Sequence, residues 1–124
     1  MSTRQDSIHS HKFVHLRLHS TYSLGSSSLK IGDIFSLAQQ HHTPAVAITD
    51  SNNMFGVKVF SDNACKAGIK PILGMEAMLA LPEEVIGTIN TGKGLKNQCK
   101  SAPIVLLAKD AIGYANLLKL HKLL

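Results

Sequence analysis

The sequence has few cysteines and no long apolar run. Its 124 residues include two cysteines, Cys65 and Cys99. Neither belongs to a CxxC pair, which argues against a disulfide scaffold and a thiolate zinc site. No apolar run approaches the roughly 18 residues of a membrane span. The opening residues, MSTRQDS, lack the apolar core of a secretory signal. We therefore expect a soluble, cytoplasmic protein with no membrane contact.

The sequence also has no concentrated charge. Thirteen basic and eight acidic residues give a formal charge of +5, but the basic residues never form a run. Such an excess is compatible with a nucleic-acid neighbourhood, although a solvated surface explains it equally well. The apolar content of 44% is sufficient for a hydrophobic core.

The first half of the chain shows a strand–helix–strand pattern. Phe13 to Leu18 is a strand candidate, and a turn-rich stretch follows at 20–28. The next apolar residues recur at helical spacing on a helix that ends near His42; they are Ile31, Ile34, Phe35 and Ala38. Ala45 to Thr49 is a short apolar run, typical of a parallel strand covered on both faces.

The second half predicts one more helix, two strands and a final helix. A helical stripe of Val57, Phe60, Ala64 and Ala67 ends at Gly68. Ile69 to Leu81 predicts a kinked strand. Residues 83–101 predict an exposed excursion, which is a candidate hairpin insertion. Ile104 to Ala108 predicts a further strand. Asp110 is positioned to cap the last helix, whose predicted shared face comprises Tyr114, Leu117, Leu118, His121 and Leu124.

This order of elements predicts an α/β fold with a parallel sheet. The chain is well short of the roughly 250 residues of a closed barrel of strands and helices. We therefore expect part of a barrel, with a flexible segment at 1–12 followed by one domain portion at 13–124. The last helix reaches Leu124 without Gly, Asn or Pro to end it, which predicts a truncated sequence without a complete catalytic site.

Candidate functional side chains lie at the expected carboxyl ends of strands, where parallel α/β folds gather their chemistry. His15, Arg17 and His19 alternate along the first predicted strand and should share a face. Asp50 follows the second strand, and Glu76 lies beyond Ile72-Leu73-Gly74 of the third. Imidazoles and carboxylates that converge in this way are typical of a zinc or manganese phosphoesterase. The structural alternatives are a capping Asp, a paired Glu and histidines bonded to backbone carbonyls.

Five stretches together resemble the polymerase-and-histidinol-phosphatase (PHP) domain family, in the form found at the N-terminus of bacterial replicative DNA polymerase alpha subunits. They occur in the family's order and cover nearly everything from Phe13 onwards. The stretches are FVHLRLHSTYS (13–23), PAVAITD (44–50), NMFG (53–56), AGIKPILGME (67–76) and IVLLAKDAIGYANLLKL (104–120). The resemblance implies the first part of a PHP-type (β/α)7-like barrel.

Departures from the family pattern concern its metal ligands. Metal-competent members have a His-x-His pair where this sequence has Arg17 and His19. They have Asp-Gly where it has Ser26-Ser27, and Asp-His where it has Asp50-Ser51. The resemblance therefore implies a vestigial site of His19, Asp50 and Glu76, with Ser26 and Ser51 at substituted ligand positions.

Arg17 is the most informative of these departures. A guanidinium has no acceptor lone pair, stays charged at any ordinary pH and repels a metal ion, so it cannot be a ligand. We expect Arg17 to replace the metal by pairing with Asp50 or Glu76; the alternative is an arginine that faces solvent.

The resemblance implies that the parent protein is a template-directed DNA polymerase, whose magnesium-dependent active site lies outside this segment. The segment itself would be scaffold, without a catalytic residue or a cofactor unless zinc or manganese occupies the vestigial site. Implied partners are the remainder of the alpha subunit, the proofreading exonuclease subunit, other replicase subunits and, through the parent protein, DNA. The alternatives are a free-standing metal-dependent PHP phosphoesterase, and either a bare interaction module or the inactive residue of a broken polymerase gene.

Overall fold

A computed structural model of the chain describes residues 13–82 and 101–124. Three helices and three strands form within these ranges: α1 (Ile31–Gln40), β1 (Ala45–Ser51), α2 (Val57–Ala67), β2 (Lys70–Ala80), β3 (Ser101–Leu107) and α3 (Ala111–Leu123). No helix in the described part has the length and apolar character needed to cross a lipid bilayer. The segment predicted as flexible, 1–12, and residues 83–100 of the predicted excursion lie outside the described residues.

The hydrophobic core lies between the sheet and the helices α1 and α2. The predicted stripe of α1 is buried throughout, and Phe35 packs against Phe60 of α2 with ring centroids 4.9 Å apart. Val46 and Ile48 of β1 and Met75 of β2 face this cluster. The apolar spacing seen in the sequence is therefore the spacing of the residues that the helices bury.

Gly68 and Asp110 set two helix boundaries, as the sequence predicts. Gly68 ends α2 in the left-handed conformation, at φ 68°, which glycine adopts without steric penalty. Asp110 caps α3, because its Oδ1 accepts a hydrogen bond of 2.8 Å from the Gly113 N–H.

The prediction for the apolar face of α3 is correct only in part. Leu117 is buried and Tyr114 packs against the core, but Leu118 is 37% exposed and Leu124 is 56% exposed. The helix contacts the sheet mainly through β2. Only a narrow part of the predicted face is therefore covered within the described residues.

The sheet is mixed, which corrects the prediction of a parallel sheet. The strand order is β1-β2-β3. β1 and β2 are parallel, with Ala45 opposite Lys70 and Ser51 opposite Glu76. β3 is antiparallel to β2, and Ala80 lies opposite Ser101. β3 therefore begins opposite the end of β2, and residue 101 belongs to β3 instead of the predicted excursion.

The predicted first strand, Phe13 to Leu18, is irregular. It runs beside β1, where the Ala47 N–H donates to the His15 carbonyl at 3.1 Å and the Thr49 N–H donates to the Leu18 carbonyl at 2.8 Å. The acceptors are three residues apart, whereas the donors are two apart. This mismatch prevents a regular ladder, and the Thr49 hydroxyl instead accepts from the Leu18 N–H at 2.9 Å.

Candidate functional site

The centre of the candidate site is an ion pair between Arg17 and Glu76. The guanidinium donates from Nε to Oε2 at 2.6 Å and from Nη2 to Oε1 at 3.2 Å. Arg17 comes from the irregular segment beside β1, while Glu76 comes from β2, 59 residues later. This two-pronged geometry matches the planar fork of a guanidinium to a carboxylate. Of the two partners considered for Arg17, Glu76 is the one that it contacts.

His19 completes this cluster. Its Nε2 lies 3.0 Å from Oε2 of Glu76, the same oxygen that accepts from Nε of Arg17. The Glu76 side chain is 8% exposed, whereas the Arg17 side chain is 62% exposed. The carboxylate therefore lies beneath a cation that faces outward.

The ion pair determines the protonation of Glu76. Hydrogen bonding from Arg17 is the main cause that lowers the pKa of Glu76 below its ordinary value near 4.5. Burial opposes this effect, and the hydrogen bond with His19 reinforces it. The bond to Glu76 likewise raises the pKa of Arg17. Both groups are therefore charged throughout the physiological range.

Asp50 belongs to a separate cluster. It is 2% exposed, and its oxygens accept three hydrogen bonds: from the Ser20 N–H at 2.6 Å, the Ser20 hydroxyl at 2.8 Å and the Ser23 hydroxyl at 2.7 Å. The Ser23 hydroxyl also accepts from the Ser51 N–H at 2.9 Å. Asp50 therefore anchors the serine-rich loop to the end of β1.

Strand alternation explains why the two carboxylates are separated. Ser51 is the register partner of Glu76, so these two residues share one face of the sheet, while Asp50 shares the other face with Met75. His19 and Ser20 are also consecutive, and they contact Glu76 and Asp50 respectively. Glu76 and Ser51 thus share one face of the sheet, and Arg17 and His19 contact Glu76 from the neighbouring irregular segment.

Of the remaining candidates, Ser26 lies beside this cluster and His15 does not. Ser26 and Ser27 line a recess of about 250 Å³ together with Arg17 and His19. Ser27 donates to the His19 carbonyl at 2.8 Å, and Ser26 donates to the Ser23 carbonyl at 3.1 Å. His15 lies elsewhere: its ring packs edge-on against Phe13 and lines a different cavity.

Sequence reasoning missed the residues that hold the loop. Ser20 and Ser23 bind Asp50, and the Asn53 side-chain amide donates to the Tyr22 carbonyl at 2.9 Å. The Tyr22 ring lies so close to Gly56 that a Cβ there would be 2.8 Å from Cδ2. The available signal was an Asp at the end of a predicted buried strand, in a sequence that also has a serine-rich stretch at 20–28, since buried carboxylates require donors.

Within residues 13–82 and 101–124, the side chains of this cluster do not by themselves make up a metal centre. Glu76 is engaged by a guanidinium, which offers no lone pair and repels cations. Among the residues described, no three His, Cys, Asp or Glu side chains are grouped closely enough to hold one ion. One imidazole and one occupied carboxylate are fewer ligands than zinc sites use.

Comparison with known proteins identifies the family. The PHP domain family matches residues 15–123, and the chain therefore belongs to it. Within that family, the sequence is 44% identical over 113 residues to DNA polymerase III subunit alpha of Borreliella burgdorferi, covering 88% of this chain and 9% of that protein. It is 34% identical over 124 residues to the Mycobacterium leprae protein of the same name, covering 90% and 10%.

A third relative of that name, from Aquifex aeolicus, is 34% identical over 111 residues and is again covered over 10% of its length. The chain thus spans about a tenth of the length of the relatives that it matches. The predicted resemblance to the PHP domain of DNA polymerase III alpha subunits is confirmed.

The ion pair leads to a prediction about acid stability. Because the pKa of Glu76 is lowered on folding, the unfolded chain takes up its proton first as the pH falls. The stabilisation is therefore present above the ordinary pKa near 4.5 and is lost as the pH falls through the lowered value. Urea unfolding from pH 7 to pH 3 should show that the difference in unfolding free energy between the parent chain and Glu76→Gln shrinks below about pH 4.5.

Asp62→Asn provides the control for this titration, because Asp62 pairs with Lys58 on the exposed surface of α2. Its effect should be small at every pH. A difference for Glu76→Gln that stays constant down to pH 3 would show that the ion pair does not contribute to acid stability.

Proposed function

We propose that the chain is a PHP-domain portion of a replicative DNA polymerase alpha subunit and that it serves as scaffold without phosphoesterase activity. The supporting observation is the contact of 2.6 Å between Arg17 and Glu76. A fixed organic cation there replaces the charge that a metal ion supplies in metal-dependent relatives. His19, Asp50 and Glu76 are then the remnants of a metal site, with Ser26 and Ser51 at its substituted positions.

The parent protein in this proposal carries out template-directed DNA synthesis in the cytoplasm, with magnesium at an active site elsewhere in its chain. The PHP portion packs on the remainder of the alpha subunit and offers a surface to the proofreading exonuclease and other replicase subunits. It meets DNA only through the parent protein. The similarity to alpha subunits over about 90% of the chain supports this assignment.

Metal binding and hydrolysis test the scaffold role. The purified 124-residue chain, dialysed against zinc or manganese, should bind less than a stoichiometric amount by elemental analysis. It should also fail to hydrolyse p-nitrophenyl phosphate with manganese. Arg17→His removes the repelling charge and adds an imidazole, so we expect this variant to bind zinc more tightly than the parent chain.

Lys58→His is the matched control, because Lys58 is exposed on α2 and away from the cluster. Manganese-dependent hydrolysis by the parent chain that is abolished by His19→Ala would overturn the proposal and establish the alternative, a metal-dependent phosphoesterase.

A further inference from the structure

The outer edge of β3 is open within the described part of the chain. β3 lies at one side of the three-stranded sheet and pairs there with β2. The Ala108 N–H donates to the Leu73 carbonyl at 2.8 Å, and the direction of the backbone groups alternates along an antiparallel strand. Val105 and Leu107 therefore direct their N–H and carbonyl groups away from β2.

The side chains of β3 give this edge little protection against pairing. Ser101–Leu107 reads SAPIVLL, which contains no charged residue. Ile104 is 40% exposed and Leu107 is 38% exposed. Proteins commonly place lysine or proline on an edge strand to prevent pairing with another chain. Of these two residue types, β3 has Pro103 alone, so an uncharged apolar strand that approached this edge would meet no repulsion.

The opposite side of the sheet is covered by the chain itself. The irregular segment Phe13 to Leu18 runs beside β1, where Ala47 and Thr49 donate to its carbonyls. Its acceptors and their donors are unevenly spaced, so this segment does not offer a regular edge to a further strand. Growth of the sheet through β3 therefore stops after one additional copy of the chain, because a two-fold contact is closed.

We propose that the outer edge of β3 pairs with β3 of a second copy of the chain. The result is a two-fold symmetric dimer with a continuous six-stranded sheet. Antiparallel pairing of two identical strands is compatible with a two-fold axis, which is the commonest symmetry of soluble oligomers. This inference does not depend on the proposed scaffold role.

One register uses the outward donors of Val105 and Leu107 in both copies. With Val105 opposite Val105, each Val105 N–H donates to the Val105 carbonyl of the other copy. Each Leu107 N–H then donates to the Pro103 carbonyl of the other copy. Four backbone hydrogen bonds form in this way, and the facing side chains are valine against valine and leucine against proline. Cross-strand apolar pairs of this kind stabilise antiparallel sheets.

Sedimentation velocity of the 124-residue chain, from about 10 µM to 1 mM, tests the dimer. Val105→Pro removes the two central donors of the interface, while Ile104 and Leu106, which direct their N–H groups toward β2, are unchanged. We expect dimerisation to weaken by about tenfold or more, because two backbone hydrogen bonds are lost. Val105→Thr is the matched control, since it keeps the N–H and should dimerise as the parent chain does.

Pro103→Val is the complementary variant. It adds one outward donor to each copy, opposite the Leu107 carbonyl of the other, so dimerisation should become tighter by about tenfold. A chain that remains monomeric at the highest concentration would overturn the proposal. A dimer whose affinity is the same in Val105→Pro and in Pro103→Val would show that the copies meet at another surface, and would overturn it equally.

Amide hydrogen exchange at Val105 and Leu107 identifies what covers the edge. Protection of these two amides should increase with protein concentration, because the dimer provides their acceptors. Protection that does not change with concentration would show that the same chain covers the edge, which would exclude the dimer.

Discussion

Replacement of Asp50 by alanine should destabilise the chain more than any other single substitution in the candidate site. The carboxylate is 2% exposed and accepts three hydrogen bonds from Ser20 and Ser23. Its removal leaves the Ser20 N–H and two hydroxyls without an acceptor in a buried position. We expect a loss of about 3–5 kcal/mol in unfolding free energy, the range of broken buried hydrogen-bond networks.

Urea unfolding at pH 7 measures this loss. Asp62→Ala is the matched control, because Asp62 is exposed and pairs with Lys58 within α2; its effect should stay below about 1 kcal/mol. Asp50→Asn keeps the shape but turns an amide toward donors, so it should lie between the two. Equal effects for Asp50→Ala and Asp62→Ala would contradict the role assigned to Asp50.

The second large effect is expected at Gly74. β2 and β3 approach closely at this residue, and a Cβ on Gly74 would lie 2.5 Å from the Leu106 carbonyl oxygen and 2.8 Å from Cδ2 of Leu107. The nearer atom belongs to the backbone of a paired strand and cannot rotate away. Gly74→Ala should therefore separate the strands locally and destabilise the chain by about 1–3 kcal/mol, as overpacking does.

Gly32→Ala should stabilise the chain instead. Gly32 lies in α1, and a Cβ there meets nothing within 4 Å. Because alanine favours helix more than glycine does, this variant should gain about 0.5–1 kcal/mol. Thermal unfolding of the two variants measures the contrast, and a Gly74→Ala variant as stable as Gly32→Ala would show that β2 and β3 tolerate a wider spacing.

Local features of the fold were predictable because they depend on neighbouring residues. The buried stripe of α1, the end of α2 at Gly68 and the cap at Asp110 all follow from spacing or from one residue's conformational preference. The antiparallel direction of β3 depends instead on its pairing with β2, and no periodicity in the sequence specifies that pairing. The irregularity of Phe13 to Leu18 likewise depends on hydrogen bonds to a strand 31 residues away.

The candidate site shows the same division. Arg17 could be excluded as a metal ligand from its residue type alone. Glu76 was one of the two partners predicted for it. Which carboxylate it meets depends on the register of β1 against β2, which places Ser51 and not Asp50 opposite Glu76. Side-chain alternation then assigns Asp50 to the other face. The chemistry of each candidate residue was thus predictable from the sequence, whereas the pairing of Arg17 with Glu76 depended on the register of the sheet.

Pro103 reduces the number of backbone donors on the outer edge of β3. It lies opposite Met78, while the Ala108 N–H donates to the Leu73 carbonyl at 2.8 Å. Backbone groups alternate along an antiparallel strand, so the nitrogen of Pro103 points away from β2, where a missing hydrogen is tolerated. A second polypeptide that paired with the outer edge of β3 would find amide donors at Val105 and Leu107 but none at Pro103. Pro103 therefore limits the length of any strand added at this edge.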